Sequence, residues 1–377
     1  MIASPFELMQ LGNVIRFGNG KAIKPGGAGS YPVFGSNGII GHSDEFRYEN
    51  GIVIGRVGAY CGSVEYCPGK FWASDNTLVA FPANENFDTK YLFYLLHNTN
   101  LSTYAGGAAQ PLVTQTVLKQ VEVNIPPLST QRRIAGILSA YDELIENNQR
   151  RIRILEDMAR SLYREWFVHF RYPGHDSPRP QAGEGLGVRA GFVDSPLGQI
   201  PQGWEVKKLE DVLELNYGKA LKKEDRRDGE YPVFGSSGVV GTHDTALVKG
   251  PGIIVGRKGN VGSVFWCDDN FFVIDTAYFV TSSLPLRFLF YVLPTLNFIN
   301  SDAAVPGLSR NQAYTLELLV PPADLLTKFC ELADTFEQQE HTLQRQTANL
   351  RRTRDLLLPR LLSGQIALAT DTLTITA

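Results

Sequence analysis

The sequence predicts an α+β protein in which one α/β-containing domain occurs twice. Two long helices separate the copies and pair as an antiparallel coiled coil around a pseudo-two-fold axis. Three observations predict this: a whole-domain internal repeat, a heptad stripe after each copy, and one Pro/Gly-rich interruption between them. A chain of 377 residues is long enough for two or three domains with ample buried core. At 43% hydrophobic and 20% charged residues it is globular rather than disordered.

The repeat is direct. Tyr31-Pro-Val-Phe-Gly-Ser-Asn-Gly returns as Tyr231-Pro-Val-Phe-Gly-Ser-Ser-Gly, Ile52-Val-Ile-Gly-Arg-Val-Gly as Ile253-Ile-Val-Gly-Arg-Lys-Gly, and Gly20-Lys-Ala as Gly218-Lys-Ala. Ala108-Ala-Gln-Pro through Pro127 matches Ala303-Ala-Val-Pro through Pro322, and all offsets lie between 195 and 201. A period this long means two whole domains, not a solenoid. Within each copy, short β-branched runs ending in glycine read as strands and tight turns. Short amphipathic helices are expected around Lys90–Asn98 and Leu284–Leu293.

After each Pro-Pro pair the periodicity becomes helical. Ile134, Tyr141, Asn148, Leu155 and Leu162 mark one heptad position, with Ile137, Leu144 and Met158 near the next. In the second copy Phe329, Phe336, Leu343, Leu350 and Leu357 hold the same phase at offset 195. Such helices would be roughly 50 to 60 Å long and suit coiled-coil pairing. The alternative is two helices folded back onto their own domains. The segment between Arg171 and Pro201 is Pro/Gly-rich and reads as a linker. The expected order is therefore domain (1–127), helix (128–170), linker (171–200), domain (201–322), helix (323–366) and tail (367–377).

Composition also excludes. Formal net charge is −3, so a nucleic-acid reading requires clustered basic residues or partners that supply positive charge. Cys61, Cys67, Cys267 and Cys330 lack zinc-site spacing and read as small buried hydrophobes, so no metal is expected. Neither a signal peptide nor a membrane span is visible, which predicts a cytoplasmic protein.

Four local motifs carry a family resemblance: Pro126-Pro-Leu-Ser-Thr-Gln-Arg-Arg-Ile, Ser161-Leu-Tyr-Arg-Glu-Trp-Phe-Val-His-Phe, Leu197-Gly-Gln-Ile-Pro-Gln-Gly-Trp-Glu and Arg354-Asp-Leu-Leu-Leu-Pro-Arg-Leu-Leu-Ser-Gly-Gln-Ile. Together with the domain order, they make the chain resemble the specificity subunits of type I restriction-modification systems over nearly its whole length. The resemblance implies two target recognition domains, each reading half of a split, asymmetric site in double-stranded DNA. It implies two methyltransferase subunits docked near the helices and motor-nuclease subunits beyond them. Two departures stand out: the second helix has no Gln matching Gln131, and the first domain lacks the Ile-Pro-x-Gly-Trp lead-in.

No catalytic constellation competes. Asn124-Ile-Pro-Pro-Leu is not a methyltransferase motif, and the Gly-Lys pairs lack the upstream glycine of a phosphate loop. The paired Gly-x-x-Gly turns do not precede helices, so no dinucleotide cofactor is expected. Asp75 and Asp275 match in the repeat and suit turn or cap duty better than metal ligation. Candidate DNA contacts are loop residues. Lys21, Lys24, Lys219, Lys222 and Lys223 follow the shared glycines, and Arg56 and Arg257 occupy the shared Gly-Arg-x-x-Gly turns. Shared residues suit backbone contact or fold maintenance. Positions that differ, Asn37 against Ser237, Tyr60 against Val261 and the Lys258–Asn260 stretch, suit specificity. Two other functions stay open here: a single-chain methyltransferase or nuclease, and a coiled-coil scaffold whose domains bind protein or sugar.

Overall fold

The computed structural model describes residues 6–24, 26, 28–107, 111–175, 191–298, 307–366 and 368. The repeat motifs at Ala108 and Ala303 fall wholly or partly outside these residues, as do residues 176–190 of the expected linker and most of the 367–377 tail. The chain divides into two compact units, Met1–Arg150 with Gln344–Ala377, and Arg151–Leu343. Each unit therefore contains a stretch of both long helices.

In unit 1, β1 (Glu7–Gln10), α1 (Leu11–Val14) and β2 (Ile15–Asn19) lead into β3 (Tyr31–Gly35) and β4 (Gly38–Ser43). Then come β5 (Tyr48–Gly55), β6 (Val64–Ala73), β7 (Thr77–Pro82), α2 (Thr89–Asn98), α3 (Gln115–Lys119), β8 (Glu122–Ile125) and α4 (Leu128–Tyr163). Six strands form one sheet in the order β2-β7-β5-β6-β3-β4, while β1 and β8 pair separately. Ile52, Val53 and Ile54 on β5 are all buried, because alternate side chains enter different cores. Ile52 and Ile54 face α1, α2 and the helices, whereas Val53 joins Phe34, Phe71 and Val79. A strand covered on both faces needs a continuous apolar run, which this segment has.

After the end of α4, unit 2 forms a hairpin, β9 (Phe192–Ser195) and β10 (Gly198–Pro201), almost wholly within the segment expected to be linker. Gly198 turns the chain at φ +95°, and Phe192 and Ile200 supply buried side chains, so this stretch folds despite its composition. It continues with β11 (Glu205–Lys208), α5 (Leu209–Val212), β12 (Leu213–Tyr217), β13 (Tyr231–Gly235), β14 (Gly238–His243) and β15 (Gly252–Gly256). It ends with β16 (Val264–Cys267), β17 (Phe272–Val273), β18 (Ala277–Ser282), α6 (Leu286–Val292), α7 (Arg310–Tyr314), β19 (Glu317–Val320) and α8 (Ala323–Leu362). The continuous sheet of unit 1 is here two sheets, β12-β18-β15-β16 and β14-β13-β17. The break has a local cause. Asp268-Asp269-Asn270 interrupts the counterpart of β6, so that only an isolated bridge between Val248 and Phe271 persists where β5 and β6 pair continuously.

The helices run antiparallel within each unit. In unit 1, Ile134, Ala135 and Leu138 share a core with Leu358, Leu361 and Leu362, and Arg354 Nη1 meets Asp142 Oδ1 at 2.6 Å. In unit 2, Tyr163 and Trp166 lie against Phe329, with ring centroids 6.4 and 6.2 Å apart. Along α4 the first seam position is buried or half-buried as expected at Ile134, Tyr141, Asn148, Leu155 and Leu162. Along α8 the same holds for Phe329, Phe336, Leu343, Leu350 and Leu357. The second seam position of α4 differs from expectation. Leu144 and Met158 are 52% and 46% exposed, whereas Leu138, Ile145 and Ala159 are buried. The alternating four-three spacing puts the stripe one residue later, about 100° around the helix.

Gln131 has a role inside its domain. Its Oε1 accepts from the Asp88 amide at 2.9 Å, and its Nε2 donates to Asn86 O and Pro126 O. It ties the start of α4 to the loop before α2. In unit 2 the repeat places buried Leu326 there, so apolar packing replaces the staple. Of the remaining family-like motifs, Tyr163, Trp166 and Phe167 join Trp204 and Phe329 in one core.

Candidate nucleic-acid interface

The shared Gly-Lys and Gly-Arg-x-x-Gly segments converge at one end of each domain's sheet. A Cβ on Gly20 would sit 1.8 Å from Ser74 O, and one on Gly218 would sit 2.1 Å from Ile274 O. Only glycine allows the chain to pass there. The crossing sends the Lys21 amide to Ala73 O at 2.8 Å and the Lys219 amide to Val273 O at 2.9 Å. Both lysine side chains remain exposed. The glycines thus serve close packing and do not form a phosphate loop.

The hairpin tip and the arginine turn are wired together. Ser63 Oγ donates to Ser36 O at 2.8 Å, as Ser263 Oγ does to Ser236 O at 2.6 Å. Ser36 Oγ also donates to Asn76 O at 2.7 Å. This brings together exposed Asn37, Tyr60 and the Arg56 turn in unit 1, and exposed Ser237, Lys258 and Asn260 with the Arg257 turn in unit 2. Lys24, Lys222 and Lys223 are exposed farther along the loops that follow β2 and β12. Asp275 pairs with Lys258 at 3.6 Å, and its carbonyl accepts from Arg257 Nη1 at 3.1 Å, so it serves the turn.

Arg56 and Arg257 are both half-buried, in different surroundings. Arg257 lies over the rings of Tyr217 at 4.8 Å and Tyr278 at 5.7 Å. Burial, then the Tyr217 hydroxyl, push the Tyr278 phenol up to about 12 despite Arg257 nearby. The Tyr278 hydroxyl donates to Leu308 O at 3.0 Å, and the Leu308 amide donates to Arg257 O at 2.7 Å. In unit 1 the Arg56 carbonyl receives the Val113 amide at 3.0 Å, but Arg56 Nε is buried without a hydrogen-bond partner.

Sequence reasoning missed four residues at this end. Arg310, the first residue of α7, lies 5.2 Å over the Tyr217 ring, and in unit 1 Gln115 Nε2 donates to Asn19 Oδ1 at 2.9 Å. Their signal was present: Asn19 against Tyr217 and Gln115 against Arg310 are differing positions of the repeat.

Elsewhere in unit 2, a cavity of about 260 Å³ is lined by Glu156, Arg160, Trp266, Asp268, Arg287 and His341, among others. Asp268, Glu337 and His341 bring possible ligand atoms within 4.8 Å of one another there. These atoms already have partners: Arg287 holds Glu337, Trp266 Nε1 donates to Asp268 at 2.7 Å, and His341 Nε2 is 3.2 Å from Asp268. The cysteines are also internally engaged, since Cys67 and Cys267 donate to Gly69 O and Asp269 O. Among the described residues no helix is long and apolar enough to cross a membrane.

A duplicated α+β domain, with antiparallel helices in each unit and a different polar surface on each shared loop frame, defines a two-module recognition protein. The family described as type I restriction modification DNA specificity domain matches residues 3–157 and 201–322. The chain belongs to that family. It is 26% identical over 315 residues to the MjaIX type I restriction enzyme specificity subunit of Methanocaldococcus jannaschii, covering 74% of this chain and 69% of the relative. It is 32% identical over 132 residues to the EcoprrI specificity subunit of Escherichia coli, covering 35% and 33% of the two chains. Among solved structures, the type I restriction-modification S subunit from M. genitalium superposes with a TM-score of 0.66 at 17% identity, over 96% of this chain and 97% of that one. That likeness establishes the fold.

Proposed function

We propose that this chain is the non-catalytic specificity subunit of a type I restriction-modification complex, reading a split asymmetric site in double-stranded DNA. Residues 1–127 and 201–322 are the target recognition domains, 128–170 and 323–366 the spacer helices, and 171–200 the connection. Two methyltransferase subunits and the motor-nuclease subunits supply the chemistry. The observation that carries the reading is a loop frame held by equivalent backbone hydrogen bonds in both domains but bearing different exposed side chains. The frame is shared and the reading residues are not, which suits two unequal half-sites.

The net charge of −3 fits a reader that relies on partners for much of its phosphate neutralisation. The test is methylation mapping of host DNA with and without this gene. A bipartite motif that disappears with the gene is expected. Methylation unaffected by its loss would overturn the proposal.

A further inference from the structure

The two domains hold chemically different side-chain pairs at one equivalent place. Asn19 and Tyr217 each end the strand before the shared Gly-Lys, and Gln115 and Arg310 each begin the short helix that leads into β8 or β19. The backbone around them is the same. Gly20 N reaches Thr77 O at 3.0 Å and Gly218 N reaches Ala277 O at 3.2 Å, while the Arg56 and Arg257 carbonyls receive Val113 N and Leu308 N. What changes is the chemistry on that frame. Unit 2 stacks Arg310 and Arg257 on the exposed Tyr217 ring, at 5.2 and 4.8 Å, and Tyr217 in turn lies 5.0 Å from Tyr278. Unit 1 has a bonded amide pair instead, Gln115 to Asn19 at 2.9 Å.

Each pair has a distinct recognition chemistry. A guanidinium steadied on an aromatic face offers a planar fork of donors, which matches O6 and N7 of guanine. A carboxamide offers two N–H donors beside a carbonyl acceptor, so Gln115 keeps one N–H and its Oε1 to match N7 and N6 of adenine after bonding Asn19. The second member of each pair limits rotamer freedom before binding, so less order must be gained on contact. Shared Lys21 and Lys219 are exposed beside these pairs at the corresponding positions.

Resting on the reading of the chain as a DNA specificity subunit, we infer that Arg310 on Tyr217 and Gln115 on Asn19 are base-reading pairs. The first selects a guanine in the half-site of domain 2, and the second an adenine in the half-site of domain 1.

The test uses the full chain assembled with its methyltransferase subunits, comparing methylated motifs and binding to matched and base-substituted duplexes. Giving domain 2 the pair of domain 1, as Tyr217→Asn with Arg310→Gln, should change one position of its half-site from guanine towards adenine. Discrimination at that position should fall by about tenfold to a hundredfold. The half-site of domain 1 and the spacing should not change. The milder Arg310→Lys keeps the charge but loses the fork, so it should relax that one position while largely keeping affinity. An unchanged motif in both variants, with or without weaker binding, would overturn the assignment and leave Arg310 a backbone contact or a structural residue. A wild-type complex that methylates no defined bipartite motif would instead overturn the functional reading beneath it.

Discussion

Arg56 and Arg257 show how one repeated residue acquires two environments. The Arg257 guanidinium is engaged by the Asp275 carbonyl and two tyrosine rings, whereas Arg56 Nε has no hydrogen-bond partner. Arg56 nevertheless sits in a half-exposed turn beside exposed Asn37 and Tyr60, where the rest of its guanidinium is expected to meet a phosphate. Arg56→Ala should weaken binding by the assembled complex and reduce the salt slope of log K by about one, with the methylated motif unchanged. An altered motif would make Arg56 a base reader. The cysteines give a second prediction at this scale. Burial pushes the Cys330 thiol up to about 11 and raises Cys61, Cys67 and Cys267 as well. A thiol raised in the folded state stays protonated there while the unfolded thiol, near 8.5, ionises. Above that pH the unfolded state holds fewer protons. Stability should therefore be retained below about pH 8.5 and fall from there towards pH 11. Thiol titration of the native chain at pH 8 should be slow, and denaturant should make all four groups react promptly; fast native labelling would contradict this.

Among the elements, α4 offers the sharpest comparison, because adjacent residues of similar size have opposite fates. Ile145 is 6% exposed and Leu144 is 52% exposed. Ile145→Ala should cost about 2–5 kcal/mol through lost burial and the cavity left behind. Leu144→Ala should cost about 0.5 kcal/mol or less, as a surface change. Thermal or urea unfolding of the purified chain measures both, and equal losses would refute the seam assignment. The pair also marks where the sequence stopped being legible. Repeated Ile134 and Phe329 showed the first heptad position, but Leu144 and Ile145 are both apolar, and apolarity alone did not identify the inward one. Strands β5 and β15 were legible because continuous β-branched runs end in shared glycines. The split sheet of unit 2 was not, since it follows from one short interruption, Asp268-Asp269-Asn270, within the counterpart of a single strand. At the site, Arg257 and Lys219 could be found from local motifs. The Arg310–Tyr217 stack joins residues far apart in sequence, and only the folded domain brings α7 to the end of β12.

For the whole molecule, chain order and helix length yield a proposal about the gap between half-sites. Each recognition domain is followed by a long helix, Leu128–Tyr163 in one copy and Ala323–Leu362 in the other. The helices are antiparallel in both units, and their seams keep one phase at an offset of 195. Helices used in this way should act as a ruler, their length setting the spacer while the domains set the half-site bases. Deleting one heptad from each, Asn147–Arg153 and Thr342–Ala348, preserves the seam because a whole repeat is removed. It shortens each helix by roughly 10 Å at about 1.5 Å per residue. With base pairs about 3.4 Å apart, the preferred gap should contract by roughly one to three base pairs. Deleting a heptad from only one helix leaves its partner too long and should impair assembly with the methyltransferase subunits. The measurement is methylation mapping of the double-deletion complex, once circular dichroism and co-purification show that it folds and assembles. An unchanged spacer, or changed half-site bases at the old spacer, would refute the ruler.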